Sequence, residues 1–298
     1  LALALAMPPA AAAAKSPDPQ GATCPWKAAW ASSQMLPDVA NALPAGALDN
    51  ATLRQIVRPS IAGSHLRVRL SNVFGTTPLR IGGATLARST NNASGDIDAA
   101  TLRTLSFGGA AGAIIPPGGE WLSDPVAWSG GAFQDLAISV HVLAEPGGQT
   151  SHPGSRATSY VVRGDAARAP MLAGATAVDH WYLLSGIEVT SCKARDGVVV
   201  LGDSITDGRG STTNGNDRWT DFLARRLDGR AAVINQGIGG NRVLLDGLGP
   251  NALARLDRDV LAQPGIRHLI VLEGINDIGT LARQKTATAA DHASLVDQ

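Results

Sequence analysis

Residues 198–201 read Val-Val-Val-Leu and break at once into Gly-Asp-Ser-Ile-Thr-Asp-Gly, residues 202–208. Apolar, mostly β-branched residues without alternation describe a strand covered on both faces, as in a parallel sheet, and such a strand delivers its loop to the carboxyl edge. The pattern recurs: Ala232 to Ile234 runs into Asn235-Gln-Gly-Ile-Gly-Gly-Asn241, and Leu269 to Leu272 into Glu273-Gly-Ile-Asn-Asp277. Helical periods lie between. Trp219, Phe222, Leu223 and Leu227 share one face, and Pro250 opens a second helix with Leu253, Leu256 and Val260 before Gln263-Pro264-Gly265 stops it. This order is a doubly wound α/β start whose right-handed crossovers keep the strands parallel. Ligands of such sheets bind beyond the carboxyl ends of the strands, so the three loops should converge on one site. A Ser204 hydroxyl, glycine backbone and the Asn276 amide would meet there.

GDSITDG with Ser204, the Gly240 of IGGN, and GIND with Asn276 resemble, in this order, the first three signature blocks of the SGNH (GDSL) hydrolase superfamily. The resemblance implies a three-layer α/β domain with a flavodoxin-like parallel sheet and a serine esterase or acylhydrolase cleaving short-chain carboxylic esters. It implies Ser204 as nucleophile. The backbone N–H groups of Ser204 and Gly240 and the side-chain amide of Asn276 map to the oxyanion hole. Glycine at 240 lets backbone approach a reacting carbon closely, and Asn276 offers an N–H donor that an ionised Asp lacks. Asp203 and Asp277 are assigned supporting roles, holding loops through hydrogen bonds.

A serine hydroxyl needs a base to take its proton, and in the family a late Asp-x-x-His block supplies it. None of the six histidines (65, 141, 152, 180, 268 and 292) has Asp three positions before it. His268 opens its strand at the end away from the loops, and His292 stands beside Asp291 on a final helix. The α/β region therefore reads as the first part of a hydrolase domain, and these residues alone as an essentially inactive esterase. No metal and no organic cofactor is expected.

From about residue 50 to 190 the period is two. Leu66, Val68 and Leu70 alternate with Arg67, Arg69 and Ser71; Leu136, Ile138, Val140 and Val142 alternate with Ala137, Ser139 and His141. Turn signals such as Pro116-Pro117-Gly118-Gly119 and Glu145-Pro146-Gly147-Gly148 punctuate the runs. The expectation is an antiparallel β-sandwich, jelly-roll-like, over residues 21–193, followed by the hydrolase region over 194–298. The LRQIV, VRLSNVFGTTPL and WYLLSGIEV stretches resemble a branch of secreted bacterial esterases and arylesterases associated with plant-polysaccharide breakdown, which implies short acyl esters, such as acetyl groups on sugars, as substrate.

Other readings stay open. Trp121, Trp128, Trp181, Tyr160 and Tyr182 could stack on sugars and make the chain a non-catalytic carbohydrate-binding protein with a remnant hydrolase domain, although large aromatics more often fill cores. Gly237-Ile-Gly239 suggests a dinucleotide loop, but Arg242 stands where that fingerprint wants Gly, and the loop is not the first of its sheet. Asp203, Asp207 and Asp277 could hold a metal, without a ligand-spaced cluster to support it.

Residues 1–20, an apolar run followed by Ala-rich sequence, resemble the later part of a secretory signal peptide and point to a secreted or periplasmic protein. The run is too short to span a bilayer. Cys24 and Cys192 are the only cysteines, an even count that suggests a bridge in an exported chain. Lysines plus arginines equal aspartates plus glutamates, 25 of each, so a basic footprint for nucleic acid or anionic membrane is missing. The expected partner is a small-molecule or polysaccharide ester.

Overall fold

The computed structural model describes residues 24–284 and 286–298. The segment read as a signal-peptide remnant lies outside them. Among the described residues no helix is long and apolar enough to cross a membrane.

Two large antiparallel sheets and a two-stranded pair, Ser151–His152 with Trp181–Tyr182, build the amino-terminal region. One runs in the order Trp26–Ala31, Leu184–Thr190, His65–Ser71 and Glu120–Leu122. The larger runs Thr176–Val178, Ser159–Arg163, Ala51–Val57, Leu136–Ala144, Leu79–Ser89 and Ile97–Leu105. The alternating residues do what their period requires. Leu66, Val68 and Leu70 from one sheet join Leu53, Ile138, Val140 and Val142 from the other in one apolar core.

The outer face of the larger sheet departs from simple alternation. Ala137, Ser139 and His141 are buried as well, because the segments around Gly95 and Ala166–Ala169 lie across them. Arg54 holds that cover down: it is fully buried and donates to Ser139 Oγ and to the carbonyls of Gly95, Ala167 and Ala169. Burial pulls its guanidinium down to about 10.

Of the aromatic residues weighed as a sugar platform, Trp128, Trp181 and Tyr182 are buried, Tyr160 is half-buried, and Trp121 is 41% exposed. Trp181 sits edge-on to Trp30 and donates its indole N–H to Ile56 O, which is core behaviour. The buried rings count against a stacking face.

Cys24 and Cys192 are bonded, with Cα atoms 4.8 Å apart and a sequence separation of 168. The bridge ties the first strand to the connector that leads into the α/β region. In the chain-entropy account a loop of this length contributes about 5 kcal/mol. Replacing both cysteines by Ser is therefore expected to lower unfolding stability by an amount of that order, read by denaturant titration, with the folded baseline unchanged.

In the carboxy-terminal region Arg195–Gly202 is the central strand, flanked in parallel by Ala231–Gly237 and Ile266–Leu272. Gly202 stands level with Gly237 on one side and Leu272 on the other, so the three loops leave the same edge. Val199, Leu201, Ala232 and Ile234 belong to the same apolar core as residues of the antiparallel sheets. Leu269 to Leu272 are exposed, unlike the covered run of the central strand.

Two helix expectations need correction. In helix Trp219–Leu227, Trp219, Leu223 and Leu227 pack on Val200 and Val233, but Phe222 is exposed and lies under Arg225 instead. The stretch after Pro250 is a run of turns ending in a single wide turn, Asp257–Leu261, not a regular helix. Its inward row is Ala252, Arg255, Asp259 and Val260, while Leu253 faces solvent. Leu256 and Val260 pack on the core as the apolar pattern expects, but the buried ion pair of Arg255 with Asp259 shares that face and Leu253 is left outside it.

Candidate active site

Asp203 ends the central strand and caps the short helix Ser204–Asp207, its carboxylate accepting from Ile205 N at 2.9 Å. Ser204 is thus the first helical residue rather than the cap, and no side chain or backbone group among the described residues holds its hydroxyl. Gly202 precedes this turn because a Cβ there would stand 2.1 Å from Thr206 Oγ1. Gly240 has φ 73°, the left-handed region that glycine enters freely, and lies against Leu248. Neither Ser204 N–H nor Gly240 N–H is engaged with a backbone acceptor.

Asn276, at the third loop, donates to Asn241 O at 2.9 Å and reaches Asp203 Oδ2 only at 3.4 Å. One amide hydrogen is therefore well held and the other weakly. Asp277 accepts from Val243 N at 3.1 Å and so fastens the second loop to the third. Asp203, Asp207 and Asp277 each have separate partners, and no group of three metal-ligating side chains gathers among the described residues.

Ser204, Gly240 and Asn276 line one cleft of about 460 Å³. Its opposite wall comes from the antiparallel region: Pro153, Gly154, Arg156 and His180. Sequence reasoning confined the site to the parallel sheet and missed this wall.

The two walls meet at a buried pair. His152 Nε2 lies 2.9 Å from Asp207 Oδ1, and its Nδ1 lies 2.8 Å from Ser33 O. Both ring nitrogens are thus engaged with oxygen atoms. Gly154 follows closely, since a Cβ there would fall 1.9 Å from Asp207 Oδ2. With both nitrogens occupied, His152 is not placed to take a proton from Ser204. His268 is exposed, His292 is half-buried, and neither lines the cleft.

Beneath the loops Arg255 is a hub. It is fully buried and donates to Gly202 O, Gln236 O and Asn241 Oδ1, which ties the ends of two parallel strands to the second loop. It also meets Asp259 at 3.1 Å and Glu273 at 3.3 Å. Burial pushes the Glu273 carboxyl up to about 7; Arg255 opposes this, while Asp203 and Asp277 add to it by repulsion. Glu273 Oε2 is buried without a partner, as suits a carboxyl that keeps its proton.

The sign of the consequence is fixed. Folded Glu273 holds its proton more tightly than the unfolded chain does, so its contribution to stability is full below about pH 4.5 and is lost as pH rises to about 7. Glu273→Gln is expected to remove that decline, leaving a flatter curve of melting temperature against pH over this window.

Residues 200–298 match the model of the GDSL-like Lipase/Acylhydrolase family. This region is related to the SGNH hydrolases. The matched region contains the serine turn, the glycine loop and the asparagine loop that line one cleft. No curated protein matches the chain. Among solved structures, an acetyl xylan esterase from Butyrivibrio proteoclasticus shares 13% identity at a TM-score of 0.31, and the alignment covers 93% of this chain and 73% of that one. A family two carbohydrate esterase from Cellvibrio japonicus shares 13% identity at a TM-score of 0.27, with the same coverages. At such TM-scores these likenesses bear on neither fold nor function.

Proposed function

We propose that the chain carries the nucleophile and the oxyanion donors of a serine ester hydrolase. One observation carries the reading: a single cleft brings together a serine hydroxyl that is not committed to capping, two backbone N–H groups without backbone acceptors, and an amide with one weakly held hydrogen. In this scheme Ser204 Oγ attacks the ester carbonyl. The N–H groups of Ser204 and Gly240 and the Asn276 amide hold the oxyanion, the alcohol leaves, and water frees the acyl group from Ser204. Asp203 and Asp277 set the loops. Proton transfer from Ser204 needs a base, and none is hydrogen-bonded to it among the described residues; imidazole in solution can supply one.

The finer reading takes short acyl esters, such as acetyl groups on polysaccharide, as substrate, and rests on the resemblance of the LRQIV, VRLSNVFGTTPL and WYLLSGIEV stretches. The disulfide supports an oxidising, extracytoplasmic setting. Ser204→Ala is expected to abolish protein-dependent hydrolysis of phenyl acetate; unchanged hydrolysis would overturn the proposal.

A further inference from the structure

We propose that the cleft selects esters that carry a carboxylate, bound by Arg156 and Arg209. This rests on the cleft being the ester site.

Arg156, from the antiparallel region, and Arg209, from the loop after the serine helix, both line the cleft that Ser204 lines. Among the described residues no hydrogen bond or ion pair joins either one to a protein acceptor, and Arg156 Nε is buried without a partner. A buried guanidinium N–H left unpaired is a standing penalty that an anionic acceptor removes. Arg156 is also held at φ 48°, unusual for a residue with a side chain, by a bond from Asn214 N to its carbonyl at 2.9 Å. The chain thus keeps the residue in place at a backbone penalty while giving its head group nothing to bind.

The other charges of the cleft are accounted for. Asp207 is taken by His152, and Asp38 accepts from Asn41 N and Asn41 Nδ2. His180 Nδ1 is engaged with Pro153 O at 2.7 Å. Among the described residues neither guanidinium has an ion-pair partner, so a negative ligand in the hollow would be their counter-ion.

The test reads binding rather than turnover. Two amide analogues that differ by one carboxylate, 4-acetamidobenzoate and acetanilide, are titrated into the full chain at low ionic strength and followed by NMR. A third, N-phenylsuccinamate, places the carboxylate on the acyl side. At least one carboxylate-bearing amide is expected to bind about tenfold tighter than acetanilide, a margin typical of a charge-assisted hydrogen bond. The margin should shrink with salt and fall in Arg156→Gln. Arg209→Glu, an exposed position that leaves the fold alone, should reduce or reverse it. Equal binding of all three, binding of none, or a preference that survives both substitutions overturns the inference. The titration can be repeated in Ser204→Ala: an anion preference there, alongside hydrolysis unaffected by Ser204→Ala, would sink the esterase reading and leave the anion site standing.

Discussion

Arg255→Met is expected to lower stability by about 3–5 kcal/mol above neutral pH, the range for breaking a buried ion pair from one side. Asp259 would survive the change, since Arg258 also holds it at 2.7 Å. Glu273 would not: it loses its cationic neighbour while Asp203 and Asp277 still repel it. The carbonyl of Gln236 and the side-chain oxygen of Asn241 would lose donors too. Because Glu273 holds its proton up to about pH 7, the loss should be smaller at acid pH. Adding Glu273→Leu to Arg255→Met should recover part of the stability by removing the stranded carboxyl. Denaturant titrations of the single and double variants on both sides of neutrality check both statements; a loss independent of pH would contradict the assignment of Glu273.

His152→Ala should rank next, at about 3 kcal/mol. Among the described residues the imidazole is the only side chain hydrogen-bonded to the Asp207 carboxylate, and both residues are buried. Its removal leaves that charge unpaired and Ser33 O without its donor. The strain falls on a particular place. Asp207 ends the serine helix, and its backbone packs so tightly on Gly237 that a Cβ there would come within 2.3 Å of Asp207 N. Combining His152→Ala with Asp207→Asn should cost less than His152→Ala alone, because the double variant buries no charge. Additive losses would show that the two side chains do not act as a pair.

Period and turn chemistry made the parallel strands and the sandwich residues legible. An uninterrupted Val198–Leu201 run and strict alternation at Leu66, Val68 and Leu70 leave little choice of environment. The three loops were legible because each follows a strand whose end the sheet aligns. What escaped was polar and long-range. Arg255 and Asp259 sit on a face that apolar counting gave to Leu253, and nothing local marks an arginine as interior until its partners at Gly202, Gln236 and Glu273 are in place. His152 lies 55 residues before Asp207, in a strand of the other region, and no spacing rule joins them. Nothing local announces the positive φ at Arg156, which goes with the bond from Asn214 N to its carbonyl.

The central claim is that Ser204 is a nucleophile facing preorganised oxyanion donors. Hydrolysis of phenyl acetate by the chain, with imidazole supplied as an external base, tests it most directly when Ser204→Ala is run beside it. The account predicts a protein-dependent rate that saturates with ester and falls by about 10³ or more in Ser204→Ala, as for loss of a serine nucleophile elsewhere. The same protein-dependent rate in both chains, with and without imidazole, would contradict it.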